Sequence, residues 1–538
     1  MKKIIVLIVI MSTLSCTKKT TVDAILIQGN IYTVNNNFDK AEAFAVNKGK
    51  IIAVGTTKEI QSLYTSNKVI NAKGKTVLPG LIDAHCHFFG LGLQQQKVDV
   101  SGTKSYEEVL QRIVDFQKEN NTDYITGRGW DQNDWEVKKF PTKEKLDKLF
   151  PKTPVAITRI DGHALLANQA AINLAKVTVK TPFSGGEILQ KNGKLTGVFI
   201  DNPMELILNT IPKPTKETQI KALQDAEKIC ISYGLTTVDD AGLSRNTIEL
   251  IDSLQKANQL KIKIYAMVAN TPKDVDYYLK KGIFKTNRLN VRSIKVYADG
   301  ALGSRGAALK KPYADMHHHF GALLSSPKEF KKLARKIAAS NYQMNSHAIG
   351  DSANYVMLKT YKEALNNQKN RRWRIEHAQI IDPKDFHYFK SIFPSIQPTH
   401  ATSDMYWAID RLGAERLKGA YAYKDLLNEY GKVALGTDFP VEKVSPFLTF
   451  YAAVARKDLT NYPKNGFQME NALSREETLK GMTIWAAYSN FEENEKGSIE
   501  TGKFADFVIL DKNIMEVASK EIPYVKAVAT FINGEKIN

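Results

Sequence analysis

Six stretches of this sequence carry side chains able to hold a metal ion or move a proton. The first is "VLPGLIDAHCH", Val77 to His87, where an apolar run passes the turn pair Pro79-Gly80 and ends in an Asp and two His. Alternate side chains of a strand share a face, so His85 and His87 are neighbours and Cys86 points the other way. Each imidazole has a lone-pair nitrogen, and two so placed can hold one metal ion. The plainer alternative is a polar strand end. Lys295 in "SIKVYADG", His347 in "YQMNSHAIGD", His377 in "RWRIEHAQ", His400 in "SIQPTH" and Asp438 in "VALGTDFP" each stand at the end of a further β-like run.

These ends need a scaffold that brings them together. With "TTVDD" and "KIYAMV", the β-like runs number eight, and helical stretches such as "KETQIKALQDAEKICISYG" and "SPKEFKKLARKIAASN" lie among them. That alternation predicts an α/β fold, a (β/α)8 barrel whose active site sits where the strands end. The gap between the first and second runs is too long for one crossover, so an inserted subdomain is expected at about 92–205. Short β-like runs at both ends of the chain, "AILIQGNIYTV" and "ADFVILDKNI" among them, predict one small β-sandwich built from both termini. Its halves are 17–79 and 491–538, around a barrel over 80–490.

Taken in order, "GNIYTV", "VLPGLIDAHCH", "IKVYADGALGSRGA", "HAIGD", "EHAQ", "GTDFP" and "GKFADFVILD" resemble the amidohydrolase superfamily. The likeness is to the amidohydrolase 3 group, which includes the N-substituted formamide deformylases, and it spans almost the whole chain. It implies that His85, His87 and Asp438 hold one divalent metal and that His347 and His377 hold a second. Lys295 would bridge them as a carbamate. A free ammonium has no lone pair and repels cations, and carbamylation would turn that side chain into an oxygen ligand; a plain inward Lys beside one metal is the alternative. Zinc is the expected ion for imidazole and carboxylate ligands. Asp438 would also take the proton of the attacking water and pass it to the leaving nitrogen.

Other residues have two readings each. His163, in "RIDGHALLAN", matches a motif of the group and is expected to polarise the substrate carbonyl, or else to bond near Asp161. His400 and Asp404 line the pocket or orient its walls. Arg305 clamps a substrate carboxylate or anchors its loop. Trp130 and Trp135 form a pocket wall or the core of the insert. The run His317-His318-His319 reads as loop surface. The function implied is hydrolysis of a non-peptide carbon–nitrogen bond, N-formyl or N-acyl, in a small molecule. The rivals are opening of a cyclic imide or lactam, cleavage of a lactone or ester, and solute binding without catalysis.

Composition narrows the partners. The chain has 538 residues, 43% hydrophobic and 25% charged, which suits a large globular protein. The net charge of +18 is spread along the chain without a long basic block, so a solvated basic surface is expected rather than a nucleic-acid site. "MKKIIVLIVIMSTLSC" reads as an export signal over 1–16. Its end resembles a bacterial lipobox, with Thr13 where Leu is usual, which would make Cys16 a lipidated N-terminus facing the periplasm. A homodimer is left open. Cys86 and Cys230 read as buried small hydrophobes.

Overall fold

The computed structural model describes residues 19–538 except 160, 161, 163, 184, 185, 202, 304 and 369. Within them the chain divides into two compact units, one of residues 19–88 with 227–538 and one of 89–226.

The first unit holds the predicted barrel. Eight strands run in sequence order, Leu81–Cys86, Leu235–Leu243, Lys263–Ala269, Leu289–Tyr297, Gln343–Ala348, Arg374–His377, Phe393–Ile396 and Ala434–Leu435, each parallel to the next. All six residues of the first strand are buried, as expected where helices cover the sheet outside and side chains fill it inside. The eighth strand is short, and the barrel closes on the first through single bonds. Asp438 N donates to His85 O (2.8 Å) and His87 N to Phe439 O (2.8 Å). Gly436 permits the approach, because a Cβ there would lie 2.5 Å from His85 N. Asp83, the acid of the opening stretch, adds a stitch. Its carboxylate accepts from Thr437 N (3.0 Å), Thr437 Oγ1 (2.7 Å) and His85 N (3.2 Å).

The crossover helices begin where the sequence supplies caps. Pro327–Ala338 starts behind Ser326, which forms a capping box with Glu329 and is followed by Pro at the first position.

Both termini build the sandwich. One sheet orders Lys50–Gly55, Ala43–Asn47, Ala24–Ile27 and Val69–Asn71, all N-terminal. The other pairs C-terminal Phe507–Leu510 antiparallel with Thr76–Pro79. Leu26, Phe44, Val77, Phe507 and Phe531 pack in one core, where the Phe507 and Phe531 rings stack at 4.2 Å. Thr76–Pro79 runs straight into the first barrel strand through Gly80, where a Cβ would meet Thr236 Oγ1 at 2.2 Å. The Pro-Gly pair of the opening stretch is therefore the passage from sandwich to barrel.

The second unit carries a mixed six-stranded sheet, Val98–Asp99, Ile125–Trp130, Val155–Arg159, Ala164–Ala167, Lys194–Asp201 and Gly186–Lys191 in spatial order. Trp130 belongs to its core. It is fully buried among Val98, Ile113 and Ile157, and its indole N–H donates to Ile157 O at 2.8 Å. The expectation that Trp130 contacts substrate is corrected here: its face and its donor are both spent inside the unit. Trp135 is buried in the same core.

No helix among the described residues is long and apolar enough to cross a membrane. Cys16, with the leader before it, lies outside the described residues, as does His163.

Candidate metal centre

The strand ends meet in one pocket of about 390 Å³, lined by His87, Lys295, His347, His377, His400 and Asp438 among others. His85 is fully buried behind them. Its Nδ1 lies 2.6 Å from Glu376 Oε2. Burial alone would raise the Glu376 carboxyl, but Arg374, then His85, hold it well below the usual carboxylate range. An ionised carboxylate only accepts, so His85 carries its proton on Nδ1 and a lone pair on Nε2. His87 repeats this logic, with Nδ1 at 3.1 Å from the carbonyl of Ala241. Both free nitrogens face Asp438 Oδ1, His87 Nε2 at 3.3 Å and His85 Nε2 at 3.6 Å. Cys86 turns away, toward Asp239 O.

Asp438 is held for this position. Its φ is +65°, a left-handed conformation uncommon outside glycine that Asp tolerates better than most residues. Burial would raise its carboxyl, yet the imidazole of His400 holds it well below the usual range. Its Oδ2 lies 3.3 Å from His400 Nε2, and Oδ1 accepts no aligned hydrogen bond. His400 in turn places Nδ1 3.1 Å from Glu442 Oε1. Burial opposes its protonation, but the bonds to Asp438 and Glu442 push it up to about 10.

On the facing side, His377 also has a left-handed φ, +73°. That turn breaks strand alternation. Both Glu376, at His85 Nδ1, and His377, with its ring 4.9 Å from that of His85, therefore reach the interior. His347 and His377 rings lie 4.5 Å apart, and His347 Nε2 and His377 Nδ1 are buried without a hydrogen-bond partner among the described residues. Burial, then the Lys295 charge, lowers His347 to about 3 and His85 to about 4. Lys295 Nζ stands 3.1 Å from His85 Nε2, and burial brings it down to about 8.

This donor set fits a divalent metal. The ligand atoms of His85, His87 and Asp438 all lie within 4.8 Å of one another. Two ligands at about 2.0–2.1 Å from a tetrahedral ion lie about 3.4 Å apart, close to the 3.3 and 3.6 Å found here. Neutral imidazoles, an ionised carboxylate and unpartnered buried atoms are what such an ion needs, and the Glu376–His85 pair is the outer support that metal-binding histidines usually have. A second group of ligand atoms at the same spacing is His377, His400 and Asp438. It contains His400 where the resemblance implies His347.

A family model, Amidohydrolase family, matches residues 68–537. The chain belongs to the amidohydrolase family. Protein LONG AFTER FAR-RED 3 of Arabidopsis thaliana is 31% identical, over 96% of this chain and 91% of its own. N-substituted formamide deformylase of Arthrobacter pascens is 24% identical, over 95% and 97%. The fold matches that of an uncharacterized metal-dependent hydrolase from Pyrococcus horikoshii OT3 with a TM-score of 0.78 and 28% identity, covering 92% of this chain and 99% of that one. This amidohydrolase is thus a metal-dependent hydrolase.

Several expected residues take other places. Arg305 is held by Asp315, with Nε at 3.1 Å and Nη2 at 2.8 Å from its two oxygens, and does not line the pocket. Its fork anchors the loop, which corrects the reading of Arg305 as a substrate clamp. Asp404 lines the pocket while its Oδ2 accepts from Tyr421 OH (2.8 Å) and Gln379 Nε2 (3.1 Å). Asp299 is buried and accepts from Ala308, Ile349 and Gly350 N at 2.8–3.0 Å, so it fixes the "HAIGD" turn. His319 meets Arg305 O at 2.8 Å in its loop. The residues missed from sequence are Glu376, Glu442 and Trp407. Glu376 adjoins His377 in "EHAQ" and Glu442 follows "GTDFP" by two residues, so an acid beside each motif was the available signal. Nothing local marked Trp407.

Proposed function

We propose that this amidohydrolase cleaves a carbon–nitrogen bond of a small molecule, of the N-formyl or N-acyl amide type. The observation that carries the reading is Asp438. Its Oδ2 faces His400, while Oδ1 is buried beside two imidazoles and accepts no aligned hydrogen bond. His85, His87 and Asp438 would hold one divalent ion, zinc by ligand type. His347 and His377 would hold a second ion, which leaves His400 on Asp438 and Glu442, and Lys295 would join the two ions as a carbamate. Bound there, such an ion supplies Lewis acidity, polarising a carbonyl and lowering the pKa of water.

The chain's own residues supply the rest. His400 holds the Asp438 carboxylate through Oδ2 at 3.3 Å, and that oxygen, turned away from the His85 and His87 nitrogens, keeps a lone pair to take a proton. Asp438 then returns that proton to the amide nitrogen, which leaves poorly until protonated. Leu302, Ile349 and Trp407 line the pocket beside the polar groups and give an acyl group an apolar wall. A Lys295 amine lowered to about 8 by burial is neutral in an appreciable fraction near pH 7–8, which is the form able to add carbon dioxide. The relationship to an N-substituted formamide deformylase makes N-formyl amines the first substrates to try.

The test is a screen of zinc-loaded protein against N-formyl amines, N-acyl amines, cyclic imides, lactams and lactones. Release of amine from the first two classes supports the reading. Turnover of only the cyclic compounds or esters replaces it with a rival reaction on the same site. We also propose that Cys16 carries a lipid anchor facing the periplasm, since more than one buried acyl chain holds a protein on a bilayer. Fractionation of cells with Cys16→Ala beside the parent tests it; both proteins in the soluble fraction would refute the anchor.

A further inference from the structure

The helix Pro398–Asp404 and the turn after it form one wall of the catalytic pocket. His400, Asp404 and Trp407 line that pocket, a spacing of four and three residues that marks one helical face. Thr399, Thr402, Ser403 and Tyr406 line a different cavity, of about 360 Å³. The two cavities thus lie on opposite sides of one wall, and Glu442 belongs to both. Its Oε1 meets His400 Nδ1 at 3.1 Å on one side and accepts from Ser403 Oγ at 2.6 Å on the other.

The chemistry of the far cavity is specific. Leu448, Tyr451, Ala452 and Leu459 give it an apolar body. Lys443 and Lys457 are its two cations, and neither has an acidic partner among the described residues. The two acids present are already committed. Glu442 serves His400 and Ser403, and Asp458 accepts from Tyr406 OH, Thr460 and Tyr462 N. The Thr399 hydroxyl is buried with no hydrogen-bond partner among the described residues. Tyr406 and Leu459 stay about half exposed, so the cavity opens to solvent.

We propose that this second cavity binds a small organic anion, an apolar body carrying a carboxylate that Lys443 and Lys457 recognise. The inference does not depend on the reaction assigned above. A ligand seated there touches the carboxylate that supports His400, and through it Asp438.

The test is calorimetric titration of the full-length, metal-loaded protein with phenylacetate, and separately with phenylacetamide, which keeps the shape and removes the charge. A double variant, Lys443→Met with Lys457→Met, keeps the stems and leaves the metal centre untouched. Phenylacetate should bind the parent saturably. The amide should bind at least about tenfold more weakly, and the double variant should lose about tenfold, the usual worth of a charge-assisted bond. Absence of saturable phenylacetate binding overturns the proposal. So does equal binding by the double variant, which would place the carboxylate at the metal centre instead, and so does equal binding of the amide. Because the amide comparison uses the parent protein, a double variant that failed to fold would still leave the proposal exposed to refutation.

Discussion

Glu376→Gln is the sharpest test of how the centre is held. Glu376 is fully buried, with Oε2 2.6 Å from His85 Nδ1 and accepting from Arg374 Nη2 at 3.1 Å. Its Oε1 lies 2.7 Å from Arg374 Nε, an ion pair poorly aligned for a hydrogen bond. Arg374 keeps Asp239 as a second partner, at 2.9 Å. The amide preserves shape and can place its oxygen toward His85, but its NH2 then faces Arg374 Nε–H, donor against donor. One charge-assisted contact becomes a repulsion while the others weaken. Each such contact contributes about 1.5–3 kcal/mol, so a loss of about 2–4 kcal/mol in unfolding free energy is expected, at or below the about 3–5 kcal/mol for removing one partner of a buried pair outright. With His85 less firmly oriented, metal affinity should fall about 10–100-fold. Urea unfolding of the metal-free proteins reads the first quantity, and zinc titration against a competing chelator reads the second. A variant that unfolds with the parent and binds zinc equally well would show that Glu376 orients nothing, and the argument from the Arg374–Glu376–His85 chain would fail.

Asp438→Asn should retain metal, since the amide oxygen can still ligate, but lose about 10²–10⁴-fold in turnover because it cannot take a proton; metal-replete steady-state kinetics near the parent rate would remove Asp438 from that role. His347→Ala and His400→Ala separate the two versions of the second site: elemental analysis should find the ion lost with whichever residue ligates it, and unchanged content in both variants would leave a one-ion centre. Gly436→Ala should destabilise the protein by about 3 kcal/mol in urea unfolding, because its Cβ would fall 2.5 Å from His85 N at the barrel closure; a fully stable variant would contradict the tight approach of first and eighth strands.

What the sequence determined by itself was the inventory and its order. Eight β-like runs separated by amphipathic stretches are enough to imply the barrel, because strand and helix periodicities are local and survive in one dimension. The barrel rule then sends His85, His87, Lys295, His347, His377, His400 and Asp438 to a common rim without any coordinates. The pairing of the two termini was also legible, since β-rich ends around an α/β middle have few other ways to bury their apolar faces. Tertiary structure decided the partnerships. Alternation puts Glu376 on the face opposite His377, and only the left-handed turn at His377 brings both inside. Asp83 stands beside the two His of the opening stretch, yet it stitches the first strand to Thr437, 354 residues away. Arg305 and Trp130 have the chemistry of substrate contacts, but Asp315 and the carbonyl of Ile157 reach them first. Residue type sets what a side chain can do. Whether it does so depends on which neighbour the fold delivers, and that neighbour is fixed by packing across the whole chain rather than by anything written beside it.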